Sequence, residues 1–209
     1  MFGQLGSTRP GHQDRVGRFA YLAGVIRSMA DRDRSDLPSV FVVDWVRALG
    51  KRLPPPRRAL DVAMGRGRHA VGLAEAGFKV FGVDVNASAV SAAVTRARSH
   101  GLVVHGWCAD LRTHPLPRSS FELIVVTSYL QRDLFPSLKE AVSAGGVVLY
   151  ETFTTAQRVH FRGPTSPDHL LRPGELRTAF EHFEVLAYEE VSEPDAVARI
   201  AARRPATKR

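Results

Sequence analysis

The feature that most restricts the fold lies near the end of the chain. Two apolar-rich runs, "FEVLAYEEV" at 183–191 and "AVARIAAR" at 196–203, read as strands, with only "SEPD" between them. That link is too short for a crossover helix, so the two strands must pair antiparallel. Upstream the pattern differs. From residue 58 the chain runs "RALDVA" (strand), "RHAVGLAEAG" (helix closed by Gly77), "FKVFGVD" (strand) and "ASAVSAAVTRARSHG" (helix, capped by Asn86 or Ser88 and stopped by Gly101). "LVVHGWC" and "FELIVVTSY" are two further strands joined by a proline-bearing loop, then "DLFPSLKEAVSAGG" is a helix and "VVLYETF" a strand. A long loop, Thr154 to Arg172, leads to a helix opened by Pro173. Such alternation predicts a doubly wound α/β sheet of mostly parallel strands, closed by one antiparallel hairpin.

Ahead of the alternation, Val16, Phe19, Ala20, Ala23, Ile26 and Met29 fall near helical spacing, as do Val42, Trp45, Val46 and Leu49 before "PPP". The expected organisation is therefore an arm with an amphipathic helix over 1–37, a sheet domain over 38–204 and a basic tail over 205–209. The first helix reads equally as a cover for a cleft, a homodimer contact or a helix packed on the sheet.

With 209 residues, 44% of them hydrophobic, the chain can bury one substantial core. No apolar run approaches the roughly 18 residues of a membrane span. Arg15–Ala30 has the basic lead and small-residue ending of a signal peptide, but Gly24 and Arg27 interrupt its apolar patch, so none is expected. The single Cys108 excludes an internal disulfide and fits a reducing, cytoplasmic setting. Net charge is +8, and 25 of the 29 basic residues are arginine, yet they are dispersed rather than striped. A nucleic-acid partner is not expected. "TSYL" stands where adenine-amino chemistry would need a Pro-Pro-aromatic turn, and Cys108 lies at the end of the third strand, not beside a proline-rich loop.

The chemistry is concentrated in "LDVAMGRGRHA", residues 60–70. Gly65, Gly67 and Ala70 satisfy the G-x-G-x-x-G/A fingerprint between a strand and a helix. Glycines let the backbone approach a ligand, and a helix start offers free amide hydrogens to an anion. A pyrophosphate and an amino-acid carboxylate both satisfy that geometry, so the turn leaves a nicotinamide dinucleotide and a sulfonium nucleoside open. Asp84, nineteen positions beyond Gly65, is placed to accept both ribose hydroxyls. Asp61 precedes the turn, where its charge would oppose a pyrophosphate and suit a cationic ammonium. Asp110, in "CADL", is placed to accept from an adenine amino group. No tyrosine is followed four residues on by lysine, and there is no G-K-[ST].

These segments, with "VTSYLQRDLF", "GGVVLYETF" and "LLRPGELRTAF", resemble small bacterial class I methyltransferases that use S-adenosylmethionine, in particular the tellurite-resistance type. The resemblance covers about residues 38–204. It implies a Rossmann-like seven-stranded sheet and methyl transfer to a small-molecule or oxyanion acceptor. It further implies that S-adenosylmethionine is held by Asp61, Ala63, Gly65, Gly67, Asp84, Val85, Asp110, Leu111 and Ser128. One departure stands out. The family's turn commonly reads Asp-x-Gly-Cys-Gly, and Ala63 and Met64 fill the middle positions here. That departure supports an alternative, a cofactor-binding regulatory protein without turnover; the literal fingerprint supports another, an NAD-dependent oxidoreductase.

Ligands of such sheets bind beyond the carboxyl ends of the strands. The segments after the fourth and fifth strands, "SYLQRD" and 151–172, should therefore face the acceptor, the second as a basic, aromatic-punctuated lid. Tyr129, Glu151, His160 and Arg162 are expected to position the acceptor, His160 serving as base if it is a hydroxyl or amine. His160, Asp168 and His169 lack metal-ligand spacing, so no metal is expected.

Overall fold

The computed structural model describes residues 37–50, 52–160 and 163–206. The expected arm and helix over 1–37 lie outside these residues apart from Leu37, as do Arg162 and the last three residues of the tail. Within the compact unit that begins at Pro38, helix α1 (Val40–Leu49) precedes β1 (Arg58–Val62), α2 (Ala70–Glu75), β2 (Lys79–Asp84), α3 (Ala87–Ser99) and β3 (Val104–Cys108). Then come β4 (Phe121–Thr127), α4 (Leu134–Ala141), β5 (Val142–Phe153), α5 (Glu175–Ala179), β6 (Glu184–Val191) and β7 (Val197–Arg203).

The seven strands form one sheet in the order β3-β2-β1-β4-β5-β7-β6. Strands β1 to β5 run parallel, and β7 is antiparallel to both β5 and β6. The short "SEPD" link thus acts as foreseen. Every residue of β4 is buried, which is why its sequence reads as a continuous apolar run rather than an alternation. The interior of the sheet has two faces. Leu60, Val62, Ile124, Val126 and Tyr150 pack against α4 and α5, while Ala59, Leu123, Val125 and Leu149 pack against α1 and α2. The chain order turns back between β1 and β4, and in such sheets that reversal opens a crevice at the carboxyl ends of the strands.

Two boundaries differ from the sequence expectation. The helix foreseen through Gly146 stops at Ala141, and residues 142–146 already belong to β5. Val142 is extended and fully buried, paired with Phe121, and Gly145 adopts φ +76 to carry the strand through an irregularity in its pairing with β4. A buried β-branched residue in the sheet outweighs the helical spacing of that segment. The last helix begins at Glu175, capped by Gly174 at φ +73, so Pro173 stands before it rather than in its first turn. Asn86, not Ser88, caps α3: its side chain accepts from the amides of Ser88 and Ala89.

Candidate functional site

The turn after β1 is built on three left-handed residues, Ala63 (φ +51), Gly65 (φ +54) and Gly67 (φ +77). The Met64 amide donates to the Val83 carbonyl at 3.0 Å, and the Gly67 amide to the Met64 carbonyl at 2.9 Å. The two glycines serve different ends. A Cβ on Gly65 would meet nothing within 4 Å, so this residue supplies the dihedral and leaves open space above it. A Cβ on Gly67 would lie 2.8 Å from the Ala93 Cβ, so this glycine lets the turn pack on α3. Ala63 has no such licence: an L-residue in the left-handed region is strained. Ala63→Gly is expected to raise unfolding stability by about 1 kcal/mol, read by urea denaturation, because relief of that strain exceeds glycine's entropic cost. A loss of stability would mean that the alanine methyl makes a compensating contact.

Three carboxylates follow. Asp61 is 1% exposed; its Oδ2 has no hydrogen-bond partner among the described residues, and the Ala70 amide favours the charged form without offsetting its burial. Burial pushes its pKa up to about 7, against the opposing pull of the Arg68 charge. Asp84 ties the turn to the start of α3: its Oδ2 accepts from the Gly65 amide at 2.8 Å and its Oδ1 from the Asn86 amide at 2.9 Å. The spacing recognised in the sequence therefore corresponds to a direct bond between the turn and the acid. Asp110 is gripped by the Arg112 guanidinium on both oxygens, at 2.9–3.2 Å, and by the Arg112 amide at 3.0 Å. These bonds hold its carboxyl below the usual carboxylate range. Beside it Leu111 packs on the main core cluster, and Val85, next to Asp84, is exposed.

Tyr129 lies at the carboxyl end of β4. Its phenol is held above its ordinary pKa by burial and by the charges of Asp110 and Asp84. Its hydroxyl donates to Gln131 Oε1. Ser128, left-handed at φ +54, donates its amide to the Glu151 carbonyl and bonds the Arg68 guanidinium through Oγ at 3.1 Å.

Arg68 and His69 do not stand out in the sequence, where they read as the first turn of a helix. Arg68 reaches across to Thr127 Oγ1 at 3.3 Å as well as Ser128, linking the end of β1 to the end of β4. His69 is buried, and its Nε2 accepts the Ser39 amide at 3.0 Å. Its proton must then sit on Nδ1, which faces Thr127 Oγ1 at 3.3 Å. Burial, helped by the Arg68 charge, pushes its pKa down to about 3, so this imidazole is a neutral strut from α1 to β4. Two polar residues straight after a glycine turn are the sequence's one signal of this role.

The acceptor-side residues are less gathered. Glu151 is engaged by Arg199 of β7, which also bonds Glu189 of β6 at 3.1 Å; the trio is a cross-strand ion ladder. Glu151 thus has a partner within the sheet and is not a free carboxylate facing the lid. His160 ends a 3-10 turn, Thr155–His160, half-buried. The long loop is fastened at several points. The Thr155 amide donates to the Leu171 carbonyl and the Leu171 amide to that of Phe153, both at 2.9 Å. Buried Gln157 accepts the Ala196 amide at 2.6 Å and donates to Asp195. Arg132, after β4, donates to the carbonyls of Asp168 (3.1 Å) and Leu170 (2.9 Å) and forks onto Glu175 at 2.6 and 3.0 Å. Among the described residues no cluster of three metal-ligating side chains occurs, and no helix is long and apolar enough to cross a membrane.

The sheet order, the glycine turn after β1 and the carboxylate that ends β2 define an open, doubly wound α/β fold. Residues 59–146, from β1 to the Gly145–Gly146 bend, match the model of a methyltransferase-domain family. No curated protein matches the sequence. Among solved structures, TehB from Haemophilus influenzae is 20% identical with a TM-score of 0.65, covering 80% of this chain, which spans 62% of that one. An S-adenosylmethionine-dependent methyltransferase from Clostridium acetobutylicum is 15% identical with a TM-score of 0.65, covering 91% and 99%. Geranyl diphosphate C-methyltransferase from Streptomyces coelicolor, solved with Mg2+, geranyl diphosphate and S-adenosyl-L-homocysteine, is 15% identical with a TM-score of 0.62, covering 78% and 79%. At these identities the likeness is one of fold.

Proposed function

We propose that the chain is an S-adenosylmethionine-dependent methyltransferase acting on a small-molecule or oxyanion acceptor. The observation that carries this reading is Asp61: a buried carboxylate at the switch point, with one oxygen unpartnered, beside a glycine turn with open space over Gly65. A pyrophosphate would meet repulsion there. A cationic methionyl group would supply the missing partner, which is what a costly buried acid needs.

When bound, S-adenosylmethionine supplies an electrophilic methyl group on a sulfonium. Asp61 would hold the ammonium end and Asp84 the ribose hydroxyls, each charged hydrogen bond contributing roughly 1.5–3 kcal/mol. The turn at Ala63, Gly65 and Gly67, with Val85, Leu111 and Ser128, would shape the nucleoside cradle. Asp110 would reach an adenine amino group only by sharing its oxygens with Arg112. Methyl displacement needs alignment and exclusion of water more than proton transfer. Tyr129, at the carboxyl end of β4, and His160 and Arg162 in the loop are the residues proposed to orient the acceptor. The resemblance to tellurite-resistance-type enzymes favours a soft anion, for which no base is required. A cytoplasmic setting is proposed from the single Cys108.

Calorimetry separates this reading from its rivals. S-adenosylhomocysteine is expected to bind in the micromolar range and NAD not to bind; the reverse pattern would overturn it. Tight binding without methyl transfer to any of a broad acceptor panel would favour a regulatory role. Asp84→Ala is expected to weaken S-adenosylhomocysteine at least tenfold, about 1.4 kcal/mol, with circular dichroism unchanged. An unaltered dissociation constant would remove Asp84 from the site.

A further inference from the structure

Strand interiors rarely favour glycine, yet β2 and β3 place Gly82 and Gly106 side by side in register. The missing side chains leave a notch beneath α3, filled over Gly82 by the Met64 side chain and over Gly106 by Val90 and Val94 of α3 with the tip of Met64. A Cβ on Gly82 would sit 2.0 Å from Met64 Sδ, and one on Gly106 2.8 Å from Val90 Cγ1, 3.1 Å from Val94 Cγ2 and 3.2 Å from Met64 Cε. Met64 is 4% exposed and clusters with Val90 and Ala93 of α3. The bonds that tie the turn to β2 flank this plug. Met64 donates its amide to Val83, and the next amide, that of Gly65, donates to Asp84.

We infer that Met64 is a positioning residue of the cofactor crevice: by filling the notch over Gly82 it sets the turn's height above β2, so that the Gly65 amide meets the Asp84 carboxylate. Ala63–Met64 is then a built alternative to the family's Gly-Cys pair rather than decay. The plug and the notch are matched in volume, so a change in one must be answered in the other. The consequence for ligand binding rests on the proposed cofactor reading; the consequence for the turn does not.

A cycle of Met64→Ala, Gly82→Ala and the double variant in the full chain tests this. The readouts are exchange of the Gly65 amide without ligand, referenced to β4 amides such as Ile124, and calorimetry with S-adenosylhomocysteine. Met64→Ala empties the notch, and Gly82→Ala drives the plug out. Each alone is expected to speed Gly65 exchange at least tenfold while β4 keeps its protection, and to weaken S-adenosylhomocysteine at least tenfold. In the double variant the methyl introduced at position 82 occupies part of the vacated space, and both quantities recover at least threefold relative to either single variant. Gly82→Ala thus reverses sign with the residue at 64. If Gly82→Ala does not fold, adding Met64→Ala must restore folding. Equal harm from Gly82→Ala in both backgrounds, or wild-type exchange in Met64→Ala, overturns the proposal. A wild type that shows the exchange cycle but binds no S-adenosylhomocysteine defeats the cofactor reading and leaves the Met64 assignment to the turn in place.

Discussion

At pH 8, Asp61→Asn is expected to be more stable than wild type by about 2 kcal/mol and to bind S-adenosylhomocysteine at least tenfold more weakly. The carboxylate is buried, and its pKa rises from 3.8 to about 7 on folding. Such an acid contributes its full stability below pH 3.8 and loses it as the pH climbs to about 7, after which the penalty is constant at about 4 kcal/mol. Asparagine removes that penalty. Its amide nitrogen, however, takes the place of the unpartnered Oδ2, at a cost of about 1–3 kcal/mol. The net gain is what remains. Wild-type stability should therefore fall between about pH 4 and 7 while that of the variant stays level, as urea melts across that range will show. A bound ammonium would draw the acid back to its ionised form. Ligand binding near pH 6 is thus expected to release a proton, seen as a buffer-dependent calorimetric enthalpy. A variant less stable than wild type at pH 8 would mean that Asp61 already has a native cation partner strong enough to cancel its burial. Unchanged affinity would take Asp61 out of the site.

The second large effect is expected at Arg132, whose fork holds two loop carbonyls and Glu175. Arg132→Ala leaves Glu175, whose side chain is 16% exposed, with Arg172 as its remaining partner and releases the carbonyls of Asp168 and Leu170. The arginine itself is about a third exposed, so the loss is set at about 2 kcal/mol, below the cost of breaking a fully buried pair. Limited proteolysis should then cut within residues 154–172. Acceptor KM should rise several-fold, with S-adenosylhomocysteine affinity kept. Lysine restores the charge but not the fork and should recover only part of the stability. The pH dependence has the opposite sign to that of Asp61. Burial works against ionised Glu175, but the Arg132 fork and the Arg172 amide outweigh it and leave its pKa below 4.5. This contribution is present above 4.5 and lost as the pH falls through the lower, folded value, so acid should open the loop. Loss of cofactor binding in Arg132→Ala with the loop still resistant would place Arg132 in the cofactor crevice instead.

The two effects draw on different kinds of information. Asp61, Gly65 and Asp84 are legible in the sequence because strand, turn, helix and strand follow one another at short range. The 19-residue interval between Gly65 and Asp84 then becomes a 2.8 Å bond. Arg132 is not legible. Its partners lie 36 to 43 residues away, and nothing in "SYLQRD" names them. Glu151 shows the converse: its place at the end of a central strand suggests chemistry, and the register of β5 with β7 sets it against Arg199 instead.

What the chain's order of residues determined alone was the strands and helices from residue 40 onward, the reversed last strand and the glycine turn with its acid, since each depends on periodicity or on links too short to permit another geometry. Tertiary packing decided the rest. It set β1 between β2 and β4, brought Arg68 and His69 to Thr127, drew residues 142–146 into the sheet and seated Met64 over two glycines. The physical reason is that burial and volume matching act between segments far apart in sequence, where one chain carries no mark of which side chain will fill which space.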